Sequence, residues 1–240
     1  MPQPTLAKRC LAELIGTFVL VFLGTGSVLA VVLFLAPEKG VDPAGLFLIG
    51  FAFGVAVLAM IYAFGHISGT HINPAVSISL WATGRLPTTD MVAYVVSQLV
   101  GAFLASVVLI IILGTRAVDA GMGGTAPGPD VSYIQAIVSE AAATFFLVLA
   151  IWGVAVDKRA PSGWAGAAIG LVVAADIWVT GAWTGASMNP ARSFGPLLAL
   201  TCWGGNYSWG DFWIYVIGPI IGGLLAAVVY DFVSDVKKVE

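Results

Sequence analysis

The chain consists largely of long apolar stretches separated by short polar ones. A membrane-spanning helix needs about 20 predominantly apolar residues, and six stretches reach that length: residues 10–35, 46–65, 91–113, 133–155, 164–183 and 212–233. Two further apolar stretches, residues 74–82 and 190–201, are about half as long. At 1.5 Å per residue each covers roughly 12–18 Å. The pattern predicts six transmembrane helices and two short helices that cross only part of a bilayer.

Each short stretch follows an Asn-Pro-Ala tripeptide, Asn73-Pro74-Ala75 in the first half and Asn189-Pro190-Ala191 in the second. Asn is a favoured N-cap and Pro is favoured at the first helical position, so both tripeptides predict a helix start. Within hydrocarbon, the non-helical backbone before such a start must be buried in protein or line a watery cavity. Two such starts, one in each half of the chain, therefore predict a pore.

The two halves of the chain repeat. Glu13 corresponds to Glu140, and residues 69–73 correspond to residues 185–189. Each half contains three predicted spans, an odd number, so the second half must insert upside down relative to the first. Inverted repeats with broken helices that meet at the bilayer midplane are a transport architecture.

The predicted fold is therefore an all-α membrane protein with six transmembrane helices plus two re-entrant half-helices in an inverted 3+3 repeat. We expect a single transmembrane channel domain over residues 1–240. Its first repeat covers residues 8–113 and its second covers residues 132–236, and a linker over residues 114–131 joins them.

Composition supports this class and excludes others. Hydrophobic residues make up 59% of the chain and charged residues 10%, whereas a soluble domain carries about 25% charged residues. The net charge of −3 argues against a nucleic-acid partner. With two His and two Cys in the chain, we expect no metal site. No nucleophile–base pair or cofactor loop is visible, so we expect no cofactor and no enzymatic activity.

The basic residues predict the orientation. With the termini on one side, that side collects seven Lys and Arg residues and the opposite side three. The seven are Lys8, Arg9, Arg85, Lys158, Arg159, Lys237 and Lys238, and the three are Lys39, Arg116 and Arg192. Basic loops stay in the cytoplasm, so we expect a multi-pass protein of the plasma membrane with both termini cytoplasmic.

The motifs resemble those of the aquaporins, the major intrinsic protein family. The resemblance covers nearly the whole chain and rests on both Asn-Pro-Ala tripeptides, the two repeat glutamates, residues 66–75 and residues 189–193. It implies a passive water channel, a homotetramer with one pore per subunit, and an outer constriction that acts as the selectivity filter. Carried over by spacing, the filter residues are Phe53, Ile177, Ala186 and Arg192.

The predicted filter departs from that of water-selective members. They usually place a histidine where this chain has Ile177, and Ala186 also removes a polar or bulky side chain. Isoleucine at this position is similar to the archaeal branch of the family. We therefore predict that water passes readily and that small neutral solutes such as glycerol pass measurably.

Two alternatives stay open from the sequence. A glycerol or dissolved-gas facilitator is the alternative among channels. A secondary transporter is the alternative from another class, because inverted repeats and broken helices also build transporters. It would need ion-coupling carboxylates near the midplane, for which Glu13, Glu140 and Asp176 are available.

The two capping asparagines predict how the pore excludes ions. The side-chain oxygen of an N-cap accepts hydrogen bonds from its own helix, which leaves the NH2 group of Asn73 and Asn189 to bind the oxygen of a passing water. Each half-helix N-terminus carries about half a positive charge, so a cation or hydronium is repelled where the two meet. Dipole and arginine barriers of this kind already belong to the general description of aquaporin-type pores.

Other polar groups are expected to support or line the pore. Glu13 and Glu140 either form a proton relay or accept hydrogen bonds from the N–H groups of the two loops, which otherwise lack partners. The resemblance favours the second reading, and so do we. His66 and His71 are expected to tie the first loop down, and the resemblance implies that His71 approaches the cytoplasmic pore mouth. Backbone carbonyls before the asparagines are expected to form an acceptor track for water, namely those of Gly69, Thr70, His71, Gly185, Ala186 and Ser187.

Asp176 lies in the fifth predicted span, directly before Ile177, and is not expected from the family pattern. One step along a helix turns it about 100° away from Ile177, so we expect it to face a neighbouring helix or subunit. We predict a structural carboxyl group that is protonated or hydrogen-bonded rather than a pH gate.

Overall fold

The computed structural model describes residues 4–206 and 208–235. Over that part of the chain the structure is all-helical, with nine α-helices. They are α1 (Leu6–Ala30), α2 (Pro43–Ser68), α3 (Pro74–Ala82), α4 (Thr88–Leu113), α5 (Thr115–Asp119), α6 (Tyr133–Ile151), α7 (Ala165–Thr184), α8 (Pro190–Cys202) and α9 (Ile214–Ser234). Two helices continue into a π-helical turn, α1 into Val31–Leu35 and α6 into Trp152–Val156.

Six helical segments of the described chain are long and apolar enough to cross a membrane, which confirms the predicted spans. They are Leu6–Leu35, Pro43–Ser68, Thr88–Leu113, Tyr133–Val156, Ala165–Thr184 and Trp209–Ser234. Most extend beyond the apolar stretches because capping residues start a helix before its first apolar residue. In α2, for example, the Asp42 side chain accepts a hydrogen bond from the N–H of Gly45 at 2.8 Å, and Pro43 is the first helical residue.

The helices pack as two similar halves. In the first half α1 packs against α2 and α4, and in the second half α6 packs against α7 and α9. Helices α2 and α7 join the halves along Gly54 and Gly170, where a Cβ atom on either glycine would lie 2.5 Å from the carbonyl oxygen of the other. A larger residue at either position would therefore push the two halves apart.

Several polar side chains are buried within the bundle beside its apolar core, and many large apolar side chains face outward. Glu13, Gln98 and Glu140 are fully buried, whereas Ile111, Ile134, Phe232 and many other large apolar side chains are exposed. A contiguous apolar outer surface of this kind is unfavourable in water and suits contact with lipid.

The two short helices begin inside the bundle. Helix α3 packs against α4 and α9, and helix α8 packs against α4. Each starts at the proline of an Asn-Pro-Ala tripeptide with the asparagine as its N-cap. The structure thus contains the six spanning helices and two half-helices that the sequence predicts.

Candidate functional site: a lumen where two half-helices meet

The asparagines cap the two half-helices. The side-chain oxygen of Asn73 accepts a hydrogen bond from the N–H of Ala75 at 2.9 Å, and that of Asn189 accepts one from Ala191 at 3.0 Å. In both cases the oxygen is thereby occupied by its own helix, so the amide is held in one orientation. The nitrogen of each amide consequently points away from the helix.

The two half-helices meet tip to tip through these amide nitrogens. Asn73 Nδ2 donates to the carbonyl of Met188 at 2.8 Å, and Asn189 Nδ2 donates to the carbonyl of Ile72 at 2.8 Å. The expectation that the whole NH2 group is free is therefore wrong for one of its two hydrogens. The second hydrogen of each amide has no acceptor within the described residues and is left for the lumen.

The loops that lead into the half-helices have the same unusual backbone in both halves. Three residues of each loop have positive φ angles: Gly69 (87°), Thr70 (50°) and Ile72 (44°), and Gly185 (78°), Ala186 (44°) and Met188 (53°). Left-handed backbone is unfavourable for residues other than glycine and costs of order 1–3 kcal/mol per residue. It persists only where surrounding contacts hold it, so each loop requires strong support.

The first loop is held by Glu13 of α1. Its Oε1 accepts hydrogen bonds from Ser68 Oγ at 2.7 Å and from the N–H of His71 at 2.9 Å. Its Oε2 accepts from the N–H of Ile72 at 2.6 Å and from Gln98 Nε2 at 2.8 Å. All four donors are buried or partly buried, so this carboxyl group satisfies loop N–H groups that cannot reach water.

The second loop is held in the same way by Glu140 of α6. Its Oε1 accepts from Thr184 Oγ1 at 2.7 Å and from the N–H of Ser187 at 2.9 Å, and its Oε2 accepts from the N–H of Met188 at 2.7 Å. These contacts are those of a structural acceptor, which is the reading favoured from the sequence.

With their N–H groups bound to the glutamates, the loops present their carbonyl groups to the interior. Among the described residues, no donor bonds the carbonyl oxygens of the loop residues that precede Ile72 and Met188. Five of the six residues proposed for the acceptor track line the central cavity, namely Gly69, Thr70, His71, Ala186 and Ser187. Gly185 does not line it, because it ends α7 and packs against Thr125.

The four predicted filter residues come together in the cavity wall from three parts of the chain. The guanidinium of Arg192 lies over the ring of Phe53, 5.0 Å from its centre. Ile177 and Ala186 are 3% and 2% exposed and complete this group. These residues are far apart in the sequence, so they come together only because α2, α7 and α8 pack against one another.

The linker between the halves also reaches this group, which the sequence did not predict. Arg192 Nη1 donates to the carbonyl of Gly123 at 2.8 Å, and Thr125 Oγ1 lies 2.7 Å from Ser193 Oγ. The linker thus fixes the direction of the arginine. The buried cation obtains part of the hydrogen bonding that it needs away from water.

Together these residues enclose a cavity of about 260 Å³ that runs past both asparagines. Apart from the asparagines, loops and filter, its wall is mostly apolar: Leu20, Val57, Ile61, Ile72, Val76, Leu80, Leu147, Ile151, Ala155, Val156, Ile169, Val173 and Met188. Pro74, Ala75, Pro190 and Ala191 lie behind the wall, where they start the half-helices. A mostly apolar cavity with a few fixed polar groups is suited to small neutral molecules.

A family model described as Major intrinsic protein matches residues 1–230 of this chain. The chain belongs to the major intrinsic protein family. It is therefore a multi-pass membrane protein, and the resemblance stated from its motifs is confirmed.

Named relatives within the family are similar over nearly their whole lengths. The chain is 45% identical to Aquaporin AqpM of Methanothermobacter thermautotrophicus, covering 96% of this chain and 99% of that protein. It is 48% identical to the protein named "Probable aquaporin AqpM" of Archaeoglobus fulgidus, covering 96% and 98%. Among solved structures, the X-ray structure of the aquaglyceroporin from Plasmodium falciparum superposes with a TM-score of 0.83 at 26% identity, covering 96% of this chain and 97% of that one.

One expectation for this family member needs correction, and another is narrowed. His66 was expected to tie the first loop down, but it lies exposed in the last turn of α2 and makes no hydrogen bond within the described residues. Ser68, two residues further on, bonds Glu13 instead. Asp176 was expected to face a neighbouring helix or subunit, and at 7% exposure it faces neighbouring helices of its own chain.

Two pairs of residues that support the loops were not predicted from the sequence. Ser68 and Thr184 bond the repeat glutamates, and the hydroxyl groups of Tyr94 and Tyr215 donate to the carbonyls of these same two residues at 2.9 Å. Each pair stands at equivalent places in the two repeats. A systematic comparison of the repeats could therefore have identified them.

The cavity wall contains a second arginine. Arg85 follows α3, lines the cavity, and forms two hydrogen bonds with the carboxylate of Asp231 on α9 at 2.9 and 2.8 Å. Its guanidinium also lies 5.7 Å from the centre of the Trp152 ring. Such a bidentate pair holds the loop after α3 against α9.

A second ion pair lies just beyond α6, outside the spanning segments. Arg159 bonds Asp157 through its side chain at 2.6 Å and through its backbone N–H at 2.9 Å. Tyr230 on α9 donates to the same carboxylate at 2.9 Å. These donors, the Arg159 guanidinium first, hold the pKa of the Asp157 carboxyl well below its usual range.

Because the pKa of Asp157 is lowered, the contribution of its ionised carboxyl group to the stability of the folded protein should not depend on pH near neutrality. Because the pKa is lowered in the folded protein, the stabilisation is fully present above the unfolded value of about 3.9 and is lost only as the pH falls through the folded value. The difference in Tm between wild type and Asp157→Asn should therefore be constant from about pH 5 to pH 8. Thermal unfolding in detergent measures this difference in Tm. The control is Glu38→Gln, at an exposed residue of the loop after α1. A difference that changes across this range would contradict the assignment.

Proposed function

We propose that this protein is a passive transmembrane water channel that excludes protons and other ions. The observation that carries the proposal is the junction of the two half-helices, where Asn73 and Asn189 bind each other's loops and each retains one N–H group for the lumen. A single water oxygen at the junction could accept both N–H groups. Its own hydrogens would then point away along the cavity, toward the loop carbonyls.

The junction of the two half-helices also repels cations. The N-terminal ends of α3 and α8 both face the junction, and each contributes about half a positive charge. The buried guanidinium of Arg192 adds a full positive charge in the cavity wall nearby. A cation or hydronium would meet these charges without the hydration that stabilises it in water, whereas neutral water would not.

Small neutral solutes are a second class of permeant. Phe53, Ile177 and Ala186 supply apolar surface in the same cavity wall as Arg192, and this favours molecules that are partly apolar. The relatives named AqpM are named aquaporins, and the superposed solved structure is that of an aquaglyceroporin. We infer that water is the main permeant and glycerol a slower one, with a glycerol or dissolved-gas facilitator as the alternative.

Osmotic flux measurements test the proposal. In stopped-flow experiments on proteoliposomes, water efflux should be several-fold faster than from protein-free vesicles. Glycerol influx should also exceed the protein-free rate. Water efflux no faster than from protein-free vesicles would reject the channel, and glycerol influx at the protein-free rate would reject the second permeant.

The filter assignment predicts the effect of one substitution on the same fluxes. Ile177→His places a larger polar side chain in the cavity wall that also holds Arg192, and contact changes of this size are worth about 1–3 kcal/mol, or roughly tenfold or more in discrimination. Glycerol flux should therefore fall by about tenfold relative to water flux. Ile177→Val, which keeps the wall apolar, is the matched control and should leave the ratio of fluxes unchanged or higher.

The alternative of a secondary transporter is tested by how the flux depends on the solute gradient and on ions. Two of the three carboxylates available to it, those of Glu13 and Glu140, are occupied by loop hydrogen bonds. We therefore expect flux that is linear in the gradient, does not saturate and does not depend on Na⁺ or H⁺. Saturation or ion coupling would favour the transporter.

We further propose that residues 1–240 form one channel domain, with repeats over residues 8–113 and 132–236 and a linker over residues 114–131. A homotetramer with one pore per subunit and a plasma-membrane location with cytoplasmic termini complete the proposal. The orientation rests on the distribution of basic residues, of which Lys237 and Lys238 lie outside the described residues. Protease accessibility of the termini in right-side-out vesicles tests the orientation.

A further inference from the structure

An open apolar groove lies on the surface of the bundle and shares no lining residue with the central cavity. It has a volume of about 540 Å³ and is lined by residues of α1, α2 and α4. Helix α1 packs against the other two helices and contributes three small residues to the lining, Gly26, Ser27 and Ala30. Larger side chains of the lining, such as Phe51 of α2 and Ile112 of α4, are exposed. The small residues of the shared helix leave room that larger side chains would fill.

The lining offers an occupant almost no polar contact. Its polar side chain is that of Ser27, whose Oγ already donates to the carbonyl of Gly24 within α1 at 2.6 Å. The other lining side chains are aliphatic or aromatic. A polar group buried here would lose its hydrogen bonds to water without gaining others. The occupant that the groove fits is therefore a hydrocarbon.

The length and position of the groove match one leaflet of a bilayer. Along α1 the lining runs from Phe22 to Phe34, which is roughly 18 Å at 1.5 Å per residue. Half of a hydrocarbon core of about 30 Å is about 15 Å. The lining belongs to the second half of α1, the last turns of α4 and the first half of α2, so it lies toward one end of the spans. An extended acyl chain of a lipid has this placement.

A basic side chain stands at that end of the groove. Arg116 follows α4 directly, is exposed, and holds its guanidinium 5.2 Å from the centre of the ring of Phe34, which lines the groove. Arg9, Arg85 and Arg159 each form an ion pair with an aspartate. Arg116 forms none with an acidic residue of the described chain. Its charge is thus available to an anion beside the groove.

We propose that this groove binds one acyl chain of an anionic phospholipid whose phosphate group is bound by Arg116. A guanidinium presents several N–H donors in a plane and binds phosphate oxygens well, and the ring of Phe34 holds it in place. A zwitterionic headgroup carries its own cation and gains less from this charge. The site concerns the surface of the bundle, so the proposal does not depend on which solute the pore carries.

Native mass spectrometry of the purified protein in detergent tests the headgroup contact. The wild type should bind phosphatidylglycerol more tightly than phosphatidylcholine. Arg116→Gln should weaken phosphatidylglycerol binding about fivefold and leave phosphatidylcholine binding unchanged. The control Lys158→Gln removes an equal charge at an exposed residue beyond the far end of α6 and should have no effect. Unchanged phosphatidylglycerol binding by Arg116→Gln would overturn the proposal.

Variants that fill the groove test the acyl-chain contact. Ala30→Phe should weaken the binding of both lipids severalfold, because the new ring occupies the space of the chain. Ala142→Phe adds the same side chain at an exposed position of α6 outside the groove and should leave binding unchanged. Ala52→Leu fills the groove from α2 and replaces Ala30→Phe should that variant not fold. Equal lipid binding by the groove variant and Ala142→Phe would reject the site.

A second copy of the chain is the competing occupant, and the same spectra report the oligomeric state. If the groove variant changes the distribution of oligomers and leaves lipid binding as in the wild type, a second copy occupies the groove and the lipid site is rejected. A bound lipid also stabilises the folded protein. Phosphatidylglycerol should therefore raise the Tm of the wild type more than that of Arg116→Gln, and an equal rise in both would contradict the role of Arg116.

Discussion

Replacing Glu13 by leucine is expected to abolish folded protein rather than to change selectivity. The substitution removes the acceptor of four hydrogen bonds from Ser68, His71, Ile72 and Gln98. Each buried donor left unpaired costs about 1–3 kcal/mol. The sum, about 4–12 kcal/mol, is comparable to the whole stability of a typical protein, about 5–15 kcal/mol.

Expression and size-exclusion chromatography in detergent measure this effect. Glu13→Leu should yield little monodisperse protein. The control Ile15→Leu lies on the exposed face of the same helix and should behave as wild type. Glu140→Leu should fail in the same manner, since Glu140 accepts three hydrogen bonds that hold the second loop. A well-folded Glu13→Leu protein with reduced proton flux would instead favour the proton relay.

Replacing Asn73 by aspartate is expected to open the pore to cations while the half-helix is retained. The carboxylate keeps the oxygen that caps the N–H of Ala75, so α3 still has its N-cap. It removes the N–H that bonds Met188 and places a negative charge where two positive helix ends now meet. Unit charges 4 Å apart interact by about 4 kcal/mol at an effective dielectric constant of 20, which corresponds to roughly a thousandfold change in cation occupancy.

Proton and Na⁺ flux into proteoliposomes that contain a pH-sensitive or Na⁺-sensitive dye measures the change. Asn73→Ser is the matched control, because serine also caps a helix and lacks the charge while losing the same bond to Met188. Cation flux should rise strongly in Asn73→Asp and little in Asn73→Ser. Similar fluxes in both variants would mean that the junction's hydrogen bonds, and not its charge, exclude cations.

Much of this architecture was predictable from the sequence because the signals are local. Six spans follow from apolar length, and the two half-helices follow from an N-cap and a proline at the first position. The role of Glu13 and Glu140 as loop acceptors was one of two readings and was favoured by the family resemblance; its physical basis is that irregular backbone away from water needs partners wherever it lies. Repetition strengthened these predictions by presenting each signal twice.

Other features could not be read from the sequence. His66 and Ser68 are two residues apart at the end of α2, and which of them faces Glu13 depends on the rotation of the helix in the bundle. The carbonyl of Gly123 reaches Arg192 from the linker, and Asp231 reaches Arg85 from the last helix. Contacts of this kind join residues far apart in the chain, and no local pattern encodes them.

The sequence by itself determined the membrane class, the number of spans, the inverted repeat and the two helix starts, because hydropathy and capping depend on residues within a turn or two of each other. Only the tertiary structure decided that the asparagines bind each other's loops, that the linker orients Arg192, and that Asp176 is buried within its own chain. These arrangements depend on how α2, α7 and the half-helices pack. That packing is set by the shapes of whole helix faces rather than by any single segment.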